Sequence, residues 1–431
     1  MSGSGTTSAA AVGRRTCTAC PLLCDDILPT AGGFANACDA GAAAFAAAAA
    51  AVQEPAACHD GVPEALPAAI DRAAAAIGSC RRVLVTGLAD ATLESVALAC
   101  DLAEMVGAAV DAGDAETAQA AGPTVARVGG VTADWEELRD RADLVVFWFC
   151  DPRDTHPRFV ERFVDPPPAR SATRRTIAVG PAPVLAVGST HEHLALPEVA
   201  AIDATRRLQA LLADRNAHDH QVPVDLACET VRTAIEAADC VAFVTRRGAD
   251  PIGLSSWSVA SLVQSVSHAR PAFEVPLGAG LAGPGADAAG AAAVCTWRYG
   301  ADGAIAGARR CGAEFMPGES DARRLVARGE VDCVVAVGRL NAAMEDALAA
   351  RGTDLALVRI AAALPARADA ARPAVRLRCT SPLVTPAGTM LRGDGRLVTL
   401  SAGSDGDDSM TAILAALLTR VRGMRVAEGG V

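Results

Sequence analysis

The stretch from Arg82 to Asp111, RVLVTGLADATLESVALACDLAEMVGAAVD, contains the unit from which the rest of the fold is built. Its first residues are apolar or β-branched and end at Gly87, which predicts a strand buried on both faces. Residues 91–107 have the pattern of a helix, and Ala108 opens a second short strand. A strand, a helix and a second strand in this order are typical of a parallel sheet covered by helices.

The same alternation continues along the chain. Further short apolar strands are predicted at 144–148, 176–179, 240–245, 332–337 and 355–360. In open parallel sheets, ligands bind beyond the carboxyl ends of the strands. We therefore expect the loops after Val85, Trp148, Val179, Val244 and Val337 to line a cleft.

Composition excludes several classes of function. The 431 residues carry a formal charge of −11, which argues against a general nucleic-acid-binding protein. The alanine-rich run Ala40–Val52 is shorter than the roughly 20 apolar residues that a membrane-spanning helix needs. Arg14-Arg15 resembles a twin-arginine signal, but a cysteine cluster follows it in place of an apolar segment. We expect a soluble, cytoplasmic protein with no membrane or nucleic-acid partner.

Cys17, Cys20, Cys24 and Cys38 have the spacing of a metal site. Four thiolates suit either an iron–sulfur cluster or a tetrahedral zinc ion. Zinc sites usually pair two Cys-x2-4-Cys units, and here the second half offers a single cysteine, which favours iron–sulfur; a remnant that holds no metal is the third alternative. The remaining ten cysteines occur singly in apolar segments, where cysteine acts as a small buried hydrophobe.

Several motifs, in order, resemble the B subunit of formylmethanofuran dehydrogenase, a member of the molybdopterin oxidoreductase superfamily. The amino-terminal match is Cys17-Thr-Ala-Cys-Pro-Leu-Leu-Cys-Asp-Asp-Ile27 with Asn36-Ala-Cys-Asp-Ala-Gly41 and Phe45. The later matches are Arg141-Ala-Asp-Leu-Val-Val-Phe-Trp148, Asp151-Pro152, His156-Pro-Arg158, Trp297-Arg-Tyr-Gly300, Pro317-Gly-Glu319, Gly329-Glu-Val-Asp332, Gly388-Thr389, Arg392 and Asp394.

The resemblance implies a 4Fe–4S cluster on the four cysteines and, in the family, a tungsten or molybdenum bis-pterin centre that receives its electrons. Two departures argue against that centre here. Ala120 stands where the family has the metal ligand, and Ala121 where it has a histidine. Trp148-Phe149-Cys150-Asp151-Pro152 replaces the pterin loop Trp-Gly-x-Asn-Pro, so Phe149 takes the place of a glycine. We expect no catalytic residue and no tungsto- or molybdopterin.

His156 and Arg158 are retained from the family's pterin-site loop and are the candidates for contacting a residual ligand. The simpler alternative for His156 is a loop side chain satisfied by a carbonyl group. A contact with another subunit is the third possibility.

The predicted fold is α/β: a small cysteine module followed by two doubly wound parallel-sheet domains, one inserted into the other, without the superfamily's carboxyl-terminal β-barrel. The predicted boundaries are a disordered 1–13, the module at 14–54, one α/β domain at 55–115 plus 270–375, an inserted α/β domain at 116–269 and a carboxyl-terminal segment at 376–431.

The resemblance predicts a non-redox scaffold in a bacterial formyltransferase/hydrolase complex of one-carbon metabolism. Its expected partners are the A, C and D subunits of such a complex, with the D-like subunit supplying the surface of the missing barrel. The alternative is an active formylmethanofuran dehydrogenase subunit that holds tungsten or molybdenum through pterin alone.

Overall fold

The structure is a computed structural model. It describes residues 13–113, 128–169, 173–181, 191–214, 222–247, 253–283, 285–308, 312–362, 374–385, 387–400 and 406–428. The predicted disordered stretch 1–13 lies outside these ranges except for its last residue.

Helices and short strands alternate along most of the chain. The helices are α1 (Asp39–Ala51), α2 (Leu66–Ser79), α3 (Leu93–Val106), α4 (Trp135–Arg141), α5 (Ala201–Leu212), α6 (Val222–Ala237), α7 (Leu254–Ser267), α8 (Ala288–Tyr299), α9 (Ala322–Arg328), α10 (Ala342–Ala350) and α11 (Met410–Glu428). A π-helical turn spans Val160–Val164. Among the described residues, no helix is long and apolar enough to cross a membrane.

The strands of the described residues belong to two main sheets and two small hairpins. They are β1 (Leu28–Thr30), β2 (Gly33–Ala35), β3 (Ala57–His59), β4 (Val62–Pro63), β5 (Val83–Thr86), β6 (Ala109–Asp111), β7 (Leu144–Trp148), β8 (Arg175–Gly180), β9 (His191–Ala195), β10 (Val241–Arg246), β11 (Ala272–Leu277), β12 (Cys333–Val337), β13 (Ala356–Ala361), β14 (Ala374–Arg378), β15 (Thr389–Leu391) and β16 (Leu397–Thr399).

The large sheet has the strand order β4-β3-β14-β13-β12-β5-β6 within the described residues. Its five strands from β14 to β6 are parallel, and β3 runs antiparallel both to β14 and to β4. One face packs against α2, α3, α8 and α11, and the other packs against α9 and α10. Because helices cover both faces, the strands are largely apolar, as the sequence predicts.

The small sheet has the order β11-β10-β7-β8-β9, and all of its described pairings are parallel. Helices α5, α6 and α7 cover one face. The other face packs against α4, the π-helical turn and the cysteine module, whose buried members include Cys17, Cys20 and Cys24. The module is therefore part of a core and not an appendage.

The boundaries of several elements differ from the sequence-based expectation. The helix expected over 61–77 starts only at Leu66, since Gly61, at φ 82°, turns the chain between β3 and β4. Strand β11 pairs with β10 in the small sheet, so the expected division after residue 269 falls too early. The reason is that β10, α7 and β11 form one strand–helix–strand unit. Strand β14 likewise spans the expected division at residue 376.

Local capping explains why the first unit folds as its sequence predicts. The hydroxyl of Thr92 accepts a hydrogen bond from the Ser95 N–H at the start of α3. Gly107 ends the helix in the left-handed conformation at φ 67°. Val85 and Thr86 of β5 then pair with Val110 and Asp111 of β6. The helix thus connects two parallel neighbours.

Candidate functional site

The cysteine loop folds back on itself. The N–H of Cys17 donates to the Cys24 carbonyl oxygen (2.8 Å), and the N–H of Leu23 donates to the Cys20 carbonyl oxygen (3.2 Å). Leu23 takes a φ of 42°, a conformation that is uncommon for a residue with a branched side chain. This turn brings the three cysteines of the loop into the core beside the small sheet.

Cys38 joins them from the start of α1. It is the N-cap residue, and its sulfur accepts a hydrogen bond from the Gly41 N–H (3.4 Å). A Cβ on Gly41 would lie 3.2 Å from the Cys17 Sγ and 3.6 Å from the Cys38 Sγ. A side chain at position 41 would therefore crowd the Cys17 thiol and contact that of Cys38.

Burial keeps the thiols protonated. It raises the pKa of Cys17 to about 11 and that of Cys20 to about 12. The pKa of Cys24 is also raised by burial, although the positive charge of Arg162 opposes the shift. A metal would have to displace these protons. Among the residues that the structure describes, no three His, Cys, Asp or Glu side chains converge closely enough for a single metal ion.

Two arginines of the small-sheet domain hold the cysteine loop. Arg158 donates to both carboxylate oxygens of Asp26, each at 2.7 Å, and also binds Glu161. Arg162 binds Asp25 at 2.6 Å. Burial opposes ionisation of Asp26, but the Arg158 hydrogen bonds and the Arg162 charge outweigh it and lower the pKa of that carboxyl. These contacts fix Asp25 and Asp26 to the π-helical turn and the loop before it.

The structure places both candidate ligand-loop residues in protein contacts. His156 is 1% exposed; its Nδ1 lies 3.0 Å from the Thr155 hydroxyl and its ring meets that of Trp135 edge to face. Burial lowers the pKa of His156 to about 4. The guanidinium of Arg158 is already engaged by two carboxylates. A role for either residue toward a ligand stays a prediction.

The loop after β7 has, at Phe149, a backbone conformation that favours glycine. Phe149 has a φ of 49°, and its N–H donates to the Val179 carbonyl (2.8 Å). Its ring packs against Trp148, with the ring centroids 5.6 Å apart, in the core under α5–α7. Asp151 is paired with Arg153 at 2.7 Å. Ala120 and Ala121 lie outside the described residues.

A cavity of about 430 Å³ lies at the carboxyl end of the large sheet. Its roof is the small-residue face of α1 together with Thr18 and Ala19 of the cysteine loop. Its floor comes from segments that follow four parallel strands. These are Asp90 and Thr92 after β5, Gly338 and Arg339 after β12, Ala361 and Ala362 at the end of β13, and Cys379 to Leu383 after β14. The cavity thus separates the cysteine module from this sheet edge.

Two glycines let the loops after β5 and β12 approach each other. A Cβ on Gly87 would lie 3.2 Å from the Val337 carbonyl oxygen, and one on Gly338 would lie 2.8 Å from that of Gly87. The contact positions Arg339, whose guanidinium binds the Asp90 carboxylate at 2.6 and 3.0 Å. The charges at this side of the cavity therefore neutralise each other.

Hydroxyl groups line much of the remaining cavity wall. The hydroxyl of Ser95 lies 2.9 Å from that of Thr411, which joins the first turns of α3 and α11. Thr380, Ser381, Thr385 and Ser409 also line the cavity. Together with the alanines of α1 they form a wall of small side chains that is close to neutral. Such a wall suits an uncharged or hydrogen-bonding ligand better than a free ion.

Part of this cavity was predictable from the sequence. The loops after Val85 and Val337 line it, as expected, whereas those after Trp148, Val179 and Val244 belong to the small sheet. The contribution of 379–385 was missed, because no strand was predicted at β14. The alternation in Ala374-Val-Arg-Leu-Arg378, directly after Pro373, is the signal that could have revealed it.

A buried carboxyl lies behind the cavity wall. Asp287 is fully buried at the N-terminus of α8, and its Oδ1 accepts hydrogen bonds from the N–H groups of Gly290 and Leu391. Its Oδ2 has no hydrogen-bond partner among the described residues. Burial, reinforced by the charges of Glu94 and Asp90, raises the pKa of Asp287 to about 8. The group is therefore mostly protonated at neutral pH.

The motif at 388–394 binds helices α3 and α4 through a hydrogen bond and an ion pair. Arg392 binds both Glu136 and Asp394, and its guanidinium lies over the Trp135 ring at 5.0 Å. The N–H of Thr389 donates to Glu94 (3.0 Å). In the same way, Arg298 of the Trp297–Gly300 motif binds Asp101 and Glu104 of α3. Both motifs therefore have a packing role.

Solved structures of known proteins resemble this fold. No protein-family model matches the sequence, and no curated protein matches it. Among the solved structures that do match is a chain in the X-ray crystal structure of the formyltransferase/hydrolase complex (FhcABCD) from Methylorubrum extorquens in complex with methylofuran. The TM-score is 0.70 at 19% sequence identity, and the match covers 86% of this chain and 100% of that chain. The two chains share a mixed α/β fold with parallel sheets.

Proposed function

We propose that this chain is the B-type component of a formyltransferase/hydrolase-type complex in one-carbon metabolism, where it acts as a non-redox scaffold. The observation that carries the proposal is the fold similarity, which spans 86% of this chain and the full length of a chain from such a complex. The ordered motifs that resemble the family's B component support the same assignment. The partners we propose are the A, C and D subunits of such a complex.

The scaffold role is supported by the residues at the two expected cofactor positions. Phe149 occupies a position where the related loop has glycine, and its ring is packed into a core. Arg158 is engaged by Asp26 and Glu161. The cavity of about 430 Å³ is at the small end of the range for a single drug-sized ligand, and a bis-pterin dinucleotide centre is much larger. Ala120 offers no atom that can bind tungsten.

We further propose that Cys17, Cys20, Cys24 and Cys38 hold a 4Fe–4S cluster that braces the module. The thiols are of the right donor type, and the missing side chain at Gly41 lets α1 approach the Cys17 and Cys38 sulfurs closely. A bound cluster supplies an electron-transfer centre in general. Here Arg158 and Arg162, although paired with carboxylates, carry positive charges that favour the thiolate form of Cys24. No downstream acceptor is proposed.

Co-purification tests the assignment. The full-length chain, tagged and expressed at its native level, is expected to bring down proteins with the properties of a formyltransferase and of a metal-dependent amidohydrolase, in fixed ratio. Omitting the chain from a reconstituted mixture should abolish assembly of these partners. Recovery of the chain without stable partners would refute the scaffold proposal.

Metal content separates the two functional alternatives. The scaffold proposal predicts far less than one tungsten or molybdenum per purified complex. A near-stoichiometric amount, together with formate-dependent reduction of a viologen dye, would establish the redox alternative instead. Cells must be grown with both metals supplied, so that a low value reflects the protein.

The cluster has its own test. Anaerobic reconstitution with iron and sulfide should give a broad visible absorption that dithionite bleaches. Cys38→Ser should reduce this absorption and the iron content. Cys58→Ser, at a half-buried cysteine outside the module, is the matched control and should leave both unchanged. Equal spectra for the two variants would exclude the proposed ligand set.

A further inference from the structure

Arg378 is the last residue of β14, at the carboxyl edge of the large sheet. Strand alternation puts its side chain on the face that α9 and α10 cover, because Val375 and Leu377 pack into the core on the opposite face. Its partner in the register of β13 is Ala361, which lines the cavity, and the next residue, Cys379, lines it as well. Arg378 therefore lies beside the cavity.

The Arg378 side chain is a buried cation. The residue is 8% exposed, and its Nε atom has no hydrogen-bond partner among the described residues. In the part of the chain that the structure describes, its guanidinium makes neither a side-chain hydrogen bond nor an ion pair. A guanidinium keeps its charge in proteins, and a buried charge is costly unless an opposite charge compensates it.

A second arginine on the same face shows how such a charge is compensated within the chain. Arg359, two residues before Ala361 in β13, is 2% exposed. Its two Nη atoms donate to the two carboxylate oxygens of Glu345 from α10, at 2.9 and 2.6 Å. Among the described residues, this sheet face thus carries one buried arginine with a carboxylate partner and one without.

The carboxylates nearest to this edge are held by other groups. The charges of Asp90 and Asp408 act on the Cys379 thiol, as does that of Arg378. The Asp90 carboxylate binds Arg339, however, and that of Asp408 accepts a hydrogen bond from the Thr380 hydroxyl at 2.5 Å. Neither is therefore the partner of the Arg378 guanidinium.

We propose that Arg378 is an oxyanion-binding residue at the edge of the cavity, where it takes the carboxylate or phosphate group of a small ligand. The planar guanidinium fork matches two oxygens of either group and forms two parallel charge-assisted hydrogen bonds with them. The alanines and hydroxyl groups of the cavity wall suit the uncharged remainder of such a ligand. The site goes beyond the proposed scaffold role and does not depend on it.

Anion titration of the full-length protein tests the site. Inorganic phosphate and acetate are the two probes, each added at an ionic strength held constant with sodium chloride. Calorimetric titration should show saturable binding of at least one probe at one site per chain, and that probe should raise the melting temperature. The probe that binds more tightly identifies the group that Arg378 takes. If neither probe binds saturably to the wild-type protein, the proposal is overturned.

Three variants assign the binding to Arg378. Arg378→Met should weaken probe binding at least about tenfold, as expected when charge-assisted hydrogen bonds are lost. Arg378→Lys, which keeps the charge but loses the fork, should bind the probe with intermediate affinity. Arg359→Met is the matched control, since it removes a buried arginine of the same face; it should keep the wild-type affinity for the probe.

Melting temperatures in chloride alone give the second measurement. Arg378→Met should melt no lower than wild type, because it removes a buried charge that has no partner in the chain. Arg359→Met should melt lower, because it leaves Glu345 without its partner. The proposal is overturned if Arg378→Met binds the probe as tightly as wild type, or if it melts as low as Arg359→Met, which would mean that the chain itself supplies a partner for Arg378.

Discussion

The segments that follow the strands differ between the two sheets, among the residues that the structure describes. At the large sheet, glycines, alanines and hydroxyl residues leave a cavity of about 430 Å³ under α1. At the small sheet, the loop after β7 turns the ring of Phe149 back into the core against Trp148. Parallel sheets present their ligand sites at their carboxyl edge. Among the described residues, side-chain size at a few loop positions therefore decides whether the segment after a strand leaves a cavity or fills the space itself.

The cysteine module connects these two edges. Its loop packs against the small sheet through Cys17, Cys20 and Cys24, while α1 and residues 18–19 roof the cavity at the large sheet. Arg158 and Arg162 fasten it in place. If this module is displaced, the cavity loses its roof, although the sheets keep most of their own cores. Variants at the module and at each edge test this contrast.

The largest effect is expected for Arg158→Met, which removes the cation between Asp26 and Glu161. Arg158 is almost fully buried and makes charge-assisted hydrogen bonds to both Asp26 and Glu161, and losing these bonds together costs about 3 kcal/mol. Urea denaturation measures the loss. Arg153→Met, at the more exposed pair with Asp151, should cost less than about 1 kcal/mol. Equal costs for the two variants would mean that Arg158 does not fasten the module.

Asp287→Asn tests the protonation state of the buried carboxyl behind the cavity wall. Burial raises the folded-state pKa to about 8, well above the ordinary value of 3.8 expected in the unfolded chain. As the pH rises between these values, the unfolded chain releases the proton first, so its relative stability grows and that of the folded protein falls. Asparagine cannot ionise. The variant should therefore gain about 2 kcal/mol relative to wild type between pH 5 and pH 8, less than the full shift because a buried charge is partly relaxed.

The measurement for this variant is the unfolding free energy across that pH range. Asp332→Asn is the control, since Asp332 is partly exposed and its carboxylate accepts hydrogen bonds from two backbone N–H groups. Parallel pH profiles for wild type and Asp287→Asn would contradict the assigned protonation state.

A smaller difference in stability is expected between Phe149→Gly and Phe149→Ala, in the loop after β7. Both variants lose the ring, at a cost of about 3 kcal/mol. At a φ of 49°, however, alanine keeps a strain of about 1 kcal/mol that glycine lacks. The glycine variant should thus be the more stable of the two. At Phe147, within strand β7, the order should reverse, and calorimetry of all four variants decides the sign.

The smallest effect is expected for Arg339→Gln in the cavity wall. Its side chain is 55% exposed, so the pair with Asp90 should contribute less than about 1 kcal/mol to stability. Arg359→Gln is the control, because Arg359 is buried and binds Glu345 at 2.6 Å, and its loss should cost several times more. Similar melting temperatures for the two variants would show that the cavity wall is less solvated than its structure indicates.

The sequence by itself determined the alternation of strands and helices, because that pattern is a matter of local periodicity and capping. Strands β5, β7 and β12 and helix α3 lie within two residues of their expected positions. The cysteine spacing predicts a metal-binding module. The structure places three of its cysteines in one core, and their role toward a metal stays a prediction.

Only the tertiary structure decided what those elements form. Asp26, one of the two partners of Arg158, is 132 residues away, and the cavity draws on segments separated by hundreds of residues. The left-handed backbone of Phe149 also depends on contacts that no local pattern encodes. Periodicity acts over a few residues, whereas burial and pairing act between surfaces that meet only when the sheets assemble.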